Sequence, residues 1–452
     1  MKPSNLTDLS AVASDGFLVV GIGGSAGALD EFNQLLRTLP VAPGMALVIV
    51  QHLGADHESL LVELLSRVSK MPVQWAAQGM RLAPDKVYVA PAAHTLEVCQ
   101  GQFVLYPRTK GVGIDGVIDV FFASLGAEYE HRAVGVVLSG TGADGAHGLR
   151  AIKAAGGITF AQTEESAGFN AMPHAAIESG AVDRILPTVE IAQELIRMSG
   201  DSEVSSKAIA RGSQENEIDG GTETAAIFRL LDLRTGVDFS EYKPSTIRRR
   251  LVRRMTLTRT SRLADYLKLL QSNGDEVQQL YESLLINVTE FFRDPETWEF
   301  LAGEVLPELI RRHANNGPIR IWVPGCSTGE EAYSYGILLA EAFDTQGRVL
   351  PVQIFGTDLS DQAIVVARAG IYRGADLTSV SPQRLRRYFH RTERGCVIHN
   401  QIRDMCVFAR QNVVRDSPFS RLDLISCRNL LIYLAPRLQR KIMPIFHYAL
   451  NP

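Results

Sequence analysis

A chain of 452 residues is too long for one hydrophobic core and divides into two or three domains. Its 46% hydrophobic and 21% charged residues are ordinary globular values, and a net charge of −4 excludes a polycation built for nucleic acid. No apolar run approaches the ~18 residues of a bilayer span, so membrane insertion is not expected. The polar start MKPSNLTDLSAVASDG has no signal pattern, and residues 1–15 read as a disordered tail. Residues 17–23 (FLVVGIG) read as a buried strand stopped by glycines, and 28–38 (ALDEFNQLLRT) has apolar positions at helical spacing. MALVIV at 45–50, a helix near 57–68, KVYVA at 86–90 and VGVVLSG at 134–140 continue the alternation, which implies a parallel sheet covered on both faces. That domain spans 16–190 and closes near VDRILP at 182–187.

Residues 200–223 are rich in Ser, Glu, Asp and Gly, and the stretch 191–223 reads as a linker. A helical subdomain follows over 224–300, including the basic stretch STIRRRLVRRMTLTRT at 245–260. IRIWVPG at 319–325 and VQIFGTD at 352–358 restart a Rossmann-like α/β domain over 301–452. The segment 371–411 suggests a small antiparallel insert, and LDLISC at 422–427 another buried strand. Five cysteines (Cys99, Cys326, Cys396, Cys406, Cys427) contain no C-x-x-C pair, which favours a reducing cytoplasm over a disulfide framework; no metal site is expected.

The first chemical constellation is Gly23-Gly24-Ser25-Ala26-Gly27, a G-x-S-x-G after a strand and before a helix. Glycines permit the tight turn, the hydroxyl stands clear, and backbone N–H groups can hold an oxyanion. The same residues fit a dinucleotide fingerprint, Gly21-x-Gly23-x-x-Ala26, which wants an acid at the end of the second strand. MALVIV ends instead in Gln51-His52. Carboxyl ends of neighbouring parallel strands share one sheet edge, so His52 is a candidate general base for Ser25. Asp144, in the glycine-rich loop after VGVVLSG, is a candidate orienting acid.

GIGGSAGALDEF, VIVQHLGADHESLL, VYVAPAAHTLEV, DVFFASLG, VLSGTGADGAHGL and AQTEESAGFNAMPHAAI together resemble the catalytic domain of the chemotaxis protein-glutamate methylesterase, CheB, over about 16–190. The resemblance implies Ser25 as nucleophile, His52 as base and Asp144 as its orienting acid, with a glutamate γ-methyl ester on a receptor helix as substrate and glutamine deamidation as a second reaction. Two departures are Thr141, where the family usually has Met, and Ala26, where Thr is common. The resemblance begins near residue 16 with no phospho-receiver ahead of it, so control by that route is not expected.

The second constellation is IRIWVPGCSTGEEAYSYGILLAEAF, a strand, a glycine loop and a helix opened by Glu330 and Glu331. Carboxylates there suit a cationic or polar ligand better than a phosphate. Asp358 ends the next strand, where a Rossmann-like site binds ribose hydroxyls. A nicotinamide site is the alternative, and it lacks its G-x-G-x-x-G. Phe291 and Phe292 beside Arg293 read equally as a buried aromatic pair with a snorkelling arginine.

NVTEFFR, CSTGEEAYS, GTDLS, GIYR, RYF and CRNLLIY resemble the chemotaxis receptor methyltransferase, CheR, over about 224–452. The resemblance implies S-adenosylmethionine as methyl donor, held by Asn287, Thr289, Arg293, Glu331, Asp358, Asn412, Val413, Arg428 and Asn429, with Arg293 and Tyr433 near the transferred methyl. It implies chemoreceptor-like partners, and gives the run Arg248, Arg249, Arg250, Arg253 and Arg254 a docking role toward an acidic receptor bundle; a solvated charged face is the plainer reading. RTERGCVIHN makes the insert short, so no receptor tether peptide is expected. The family continues past FHYALNP with more strands, so the methyltransferase half is expected to be C-terminally incomplete. A signalling scaffold without turnover is the competing class; the intact Ser25, His52, Asp144 and donor-site residues favour an enzyme.

Overall fold

All seven residues of Leu18–Gly24 are buried, the pattern of a strand covered on both sides. This is β1, at the middle of a seven-stranded parallel sheet in the computed structural model, which describes residues 16–51, 60–108, 116–209, 221–286, 289–313 and 317–451. On one side of β1 lie β2 (Met45–Gln51), β4 (Lys86–Val89) and β3 (Val73–Trp75); on the other lie β7 (Ala133–Val137), β8 (Ile158–Gln162) and β9 (Arg184–Leu186). A separate hairpin joins β5 (His94–Cys99) to β6 (Gln102–Pro107).

Alternate strand residues face opposite layers. Val19, Ala46 and Val48 pack under α3 (Val117–Tyr129) and α4 (Ala146–Ala155), through Phe121, Phe122, Leu149 and Ile152. Val20, Ile22, Leu47 and Ile49 pack under α1 (Ala28–Thr38) and the long helix Thr188–Ile209, through Phe32, Leu35, Ile191 and Leu195.

That long helix corrects the linker expectation. Residues 191–209 are helical, and Ile191, Ala192, Leu195 and Met198 are buried in the core. Four apolar residues at helical spacing decide the outcome, although Ser and Glu dominate the chain beyond Met198. The remainder of the expected linker up to residue 220 lies outside the described residues, as does the tail over 1–15.

The compact unit around this sheet also takes in Arg248–Lys268. That segment begins with the carboxyl part of the basic helix Pro244–Leu257 and runs into the helix Leu263–Ser272. Arg253 forms an ion pair with Asp183, their side chains only 3% and 5% exposed. Its Nε donates to Gly157 O at 3.0 Å, while Arg250 donates to Lys153 O at 2.7 Å and to Ala154 O. Lys153 O and Ala154 O belong to the last turn of α4, where carbonyls lack full helical partners, and Gly157 O lies just beyond it; Lys153 O also accepts from Gly156 N at 3.1 Å. Arg249 pairs with Glu130 at 2.6 Å. Three arginines of the basic run are therefore committed within this unit, which corrects the expectation of a free docking face.

The second compact unit holds Ala225–Ile247 and Leu269–Pro452. Its parallel sheet runs β15 (Cys406–Arg410), β11 (Val352–Asp358), β10 (Ile319–Pro324), β16 (Leu424–Ile425). Helix Glu330–Gln346 follows β10 and is largely buried. The antiparallel insert is three short strands, β12 (Ile371–Tyr372), β14 (Gly395–Ile398) and β13 (Phe389–Thr392) in spatial order. Residues 406–410, expected within the insert, belong to the parallel sheet instead. LDLISC forms only a two-residue edge strand; beside it Leu422 N donates to Ala449 O at 3.0 Å and Asn451 N to Leu422 O at 2.8 Å. Among the described residues no helix is long and apolar enough to cross a membrane.

Candidate functional sites

Ser25 follows the last residue of β1 and is 8% exposed. The turn needs glycine at Gly27, whose φ is 72° and whose added Cβ would come within 2.9 Å of Ser139 Oγ. Ser25 N donates to Ser139 O at 3.0 Å, tying the turn to the loop that leaves β7. The loop backbone passes hard against the serine: a Cβ on Gly140 would lie 3.0 Å from Ser25 Cβ and 2.1 Å from Met172 Sδ. In the register of β1 with β2, Gly24 stands opposite Gln51. His52 follows Gln51 in the chain and lies outside the described residues.

Asp144 sits at the far end of the β7 loop and is buried. Its carboxylate accepts from Ile118 N and Asp119 N, each at 3.0 Å. The Ile118 side chain fills the space against both Gly23 and Gly145, where an added Cβ would come within 2.6 and 3.0 Å of it. The Asp144 loop is thus packed onto the strand end that carries Ser25. Asp119 was not singled out from the sequence. Its carboxylate accepts from Gly145 N at 3.0 Å and Gly148 N at 2.6 Å. Burial, with the Asp144 charge adding to it, raises the Asp119 carboxyl to about 6; the Gly148 and Gly145 amides and His147 act in the opposite sense.

The second unit contains a cavity of about 390 Å³ at the carboxyl ends of β10 and β11, a size suited to a small-molecule ligand. Thr289, Arg293, Glu331, Asp358, Asn412, Val413, Arg428, Asn429 and Tyr433 all line it. Asn287 lies outside the described residues.

Asp358 accepts from Ser327 N and Ser360 N, both at 2.9 Å, so it fixes the glycine loop as well as facing the cavity. Burial raises its carboxyl, and those backbone donors oppose the shift. Glu331 accepts from Ser426 Oγ at 2.6 Å. Burial raises its carboxyl too, against the Ser426 bond and the charges of Arg428 and Arg293. Arg428 donates to Arg293 O at 2.6 Å and pairs with Asp294 at 2.7 Å.

Phe292, Asp294, Ser327 and Asn429 adopt positive φ (51°, 58°, 49° and 57°), a conformation non-glycine residues hold only when their surroundings enforce it. At Phe292 the enforcement comes from its neighbours. Phe292 N donates to Ser334 Oγ, Trp298 Nε1 donates to Arg293 O, and Phe292 and Trp298 pack edge to face. Phe291 and Phe292 are core residues, while Arg293 faces the cavity.

The wall contributed by Asp238, Glu241 and Tyr242 was missed from the sequence, because that loop carries no motif. A carboxylate at a strand end suits ribose hydroxyls, and mixed arginine and glutamate at the other side suit a zwitterionic amino acid. The donor set fits S-adenosylmethionine.

Comparison with known proteins bears on both units. The CheB methylesterase family model matches residues 20–195, the CheR methyltransferase all-alpha domain matches 222–285, and the CheR methyltransferase SAM binding domain matches 287–452. A chemotaxis protein methyltransferase of Escherichia coli is 33% identical over 238 residues, covering 50% of this chain and 79% of that protein. The chain belongs to the CheR methyltransferase family. It joins a CheB methylesterase domain to that CheR portion.

A protein-glutamate methylesterase/protein-glutamine glutaminase of Myxococcus xanthus is 38% identical over 181 residues, covering 40% of the chain and 49% of that protein. A Rhodobacter capsulatus protein, named only as an uncharacterized 104.1 kDa protein in the hypE 3'region, is 37% identical over 411 residues. That match covers 86% of this chain but 43% of the longer protein. The CheR portion binds S-adenosylmethionine as its family's methyl donor.

Proposed function

We propose that the two halves run opposed reactions on glutamate side chains of chemoreceptor-like proteins in the cytoplasm: the CheB half hydrolyses γ-methyl esters and deamidates glutamine, and the CheR half forms the esters. The observation that carries this is the donor cavity, which gathers nine of the residues expected to hold or flank the methyl donor.

In the CheB half the Ser25 hydroxyl attacks the ester carbonyl while His52 takes its proton and Asp144 orients the imidazole. Methanol leaves with that proton, and water then cleaves the acyl-serine by the same route. In the CheR half the donor supplies an electrophilic methyl. A substrate carboxylate needs no base to attack it, so Arg293 and Tyr433 serve alignment, Glu331 and Arg428 grip the amino acid end, and Asp358 holds the ribose. Thr289, Asn412, Val413 and Asn429 complete the enclosure, and the resemblance assigns Asn287 to the same donor.

The test is a paired assay on the full chain: methanol release from a methylated receptor fragment, and label transfer from radioactive S-adenosylmethionine to an unmethylated one. Both are expected. Donor binding without either turnover would establish the scaffold reading instead.

A further inference from the structure

The amino ends of α3 and α4 are tied together by two carboxylates, each serving the other helix. Asp144, just ahead of α4, accepts from the Ile118 and Asp119 amides in the first turn of α3. Asp119, the third residue of α3, accepts from the Gly145 and Gly148 amides at the start of α4. Both helices begin after a glycine, Gly116 and Gly145, which has no side chain to cap its own first turn. Each therefore borrows its cap from its neighbour.

The helices lie close enough for this because glycines sit where they meet. A Cβ on Gly148 would come within 2.5 Å of Phe122 Cβ, and one on Gly126 within 3.1 Å of Ile152 Cα. On the other side of this clasp, Thr141, Gly142 and Ala143 are exposed, so the loop that carries Asp144 has little packing of its own. Its position depends on Ile118 and on the clasp.

We propose that Asp119 is a positioning residue for hydrolysis at Ser25, acting through the Gly145 and Gly148 amides to hold the Asp144 carboxylate in place. This rests on the methylesterase reading above. Asp144 spends one lone pair of each oxygen on α3, which fixes the plane of its carboxylate and leaves the outer lone pairs for a third donor. If α4 slips along α3, that plane turns with it. A buried carboxylate, Asp144, beside a half-buried one, Asp119, is an arrangement that stability alone disfavours, and such arrangements gather where geometry serves function.

The experiment compares Asp119→Ala, Asp119→Asn and Asp119→Glu in the full chain, reading kcat and KM for methanol release, the melting curve, and methyl transfer in the same protein. In the native clasp both amides donate to one oxygen, Oδ1, which asparagine retains. Alanine is expected to lower kcat by about 10- to 100-fold, the scale of an ångström-sized displacement, with KM unchanged. Asparagine is expected to recover most of that loss. Glutamate keeps the charge but moves the acceptor by one methylene, so it folds and remains slow.

Wild-type kcat in the alanine or glutamate variant would overturn the proposal, as would an asparagine variant that melts normally yet is as slow as alanine. Should alanine fail to fold, the glutamate and asparagine pair decides by the same criteria. A wild-type chain that releases no methanol would instead remove the methylesterase reading itself.

Discussion

Replacing Arg253 by alanine tests how far the methylesterase unit depends on the segment Arg248–Lys268. The change strands Asp183, whose side chain is 5% exposed. It also removes the 3.0 Å bond from Arg253 Nε to Gly157 O. Breaking a buried ion pair from one side costs about 3–5 kcal/mol. Asp183 is not left without partners, however. Its second oxygen accepts from Thr159 N at 3.1 Å and Thr159 Oγ1 at 3.0 Å, and Lys153 Nζ lies 3.6 Å from the first. Those contacts reduce the expected cost to about 2–3 kcal/mol, a fall of roughly 5–10 °C in the melting of a unit this size. Differential scanning calorimetry of the full chain reads it, the affected transition being the one that ends methanol release. Arg253→Met combined with Asp183→Asn should recover part of the loss, since no charge is then buried alone. An unchanged transition in Arg253→Ala would refute the claim that this pair holds the unit together.

Ser25→Ala should abolish methanol release by several orders of magnitude and leave methyl transfer intact; near-native esterase rates would reject Ser25 as nucleophile. Asp358→Ala should weaken S-adenosylmethionine binding by about 1–3 kcal/mol by calorimetry, since it loses a ligand contact and the anchors on Ser327 N and Ser360 N; unchanged affinity would remove Asp358 from the site. Gly140→Ala should lower methanol release sharply, because the new methyl would sit 2.1 Å from Met172 Sδ and 3.0 Å from Ser25 Cβ; a native rate would mean the loop yields freely. Asp119 titrates near 6 in the folded protein against 3.8 for its ordinary value. The folded state thus binds its proton more tightly, and its contribution to stability falls as pH rises between those values. Asp119→Asn should therefore be more stable than wild type at pH 7.5, by at most about 3 kcal/mol, with the gain fading below about pH 5; a pH-independent difference in denaturant titrations would contradict the assignment.

Local pattern was legible in the sequence wherever it alone decides the structure. Leu18–Gly24, Met45–Gln51 and Val352–Asp358 are apolar runs ended by glycine or polar residues, and each became a parallel strand close to its expected bounds. The residues that the CheR resemblance assigned to the donor were legible as motifs, and nine of the expected residues line one cavity at the strand ends. The failures involve partners distant in the chain. Nothing near Arg253 announces Asp183, 70 residues away, and nothing near Asp119 announces the amides of Gly145 and Gly148. The expected linker is helical to residue 209 because spacing decides over composition: Ile191, Ala192, Leu195 and Met198 hold a helical stripe. Tyr242 reaches the donor cavity through tertiary placement alone.

The boundary between the two halves is drawn differently by descent and by mechanics. The CheR all-alpha match begins at residue 222, yet Arg248–Lys268, inside that match, belongs to the compact unit that contains Ser25. A truncation made at the family border would therefore remove a structural wall from the methylesterase while appearing to spare it. If such a fragment lost esterase activity, the loss would look like communication between two enzymes. It would report only that one of them had been cut through.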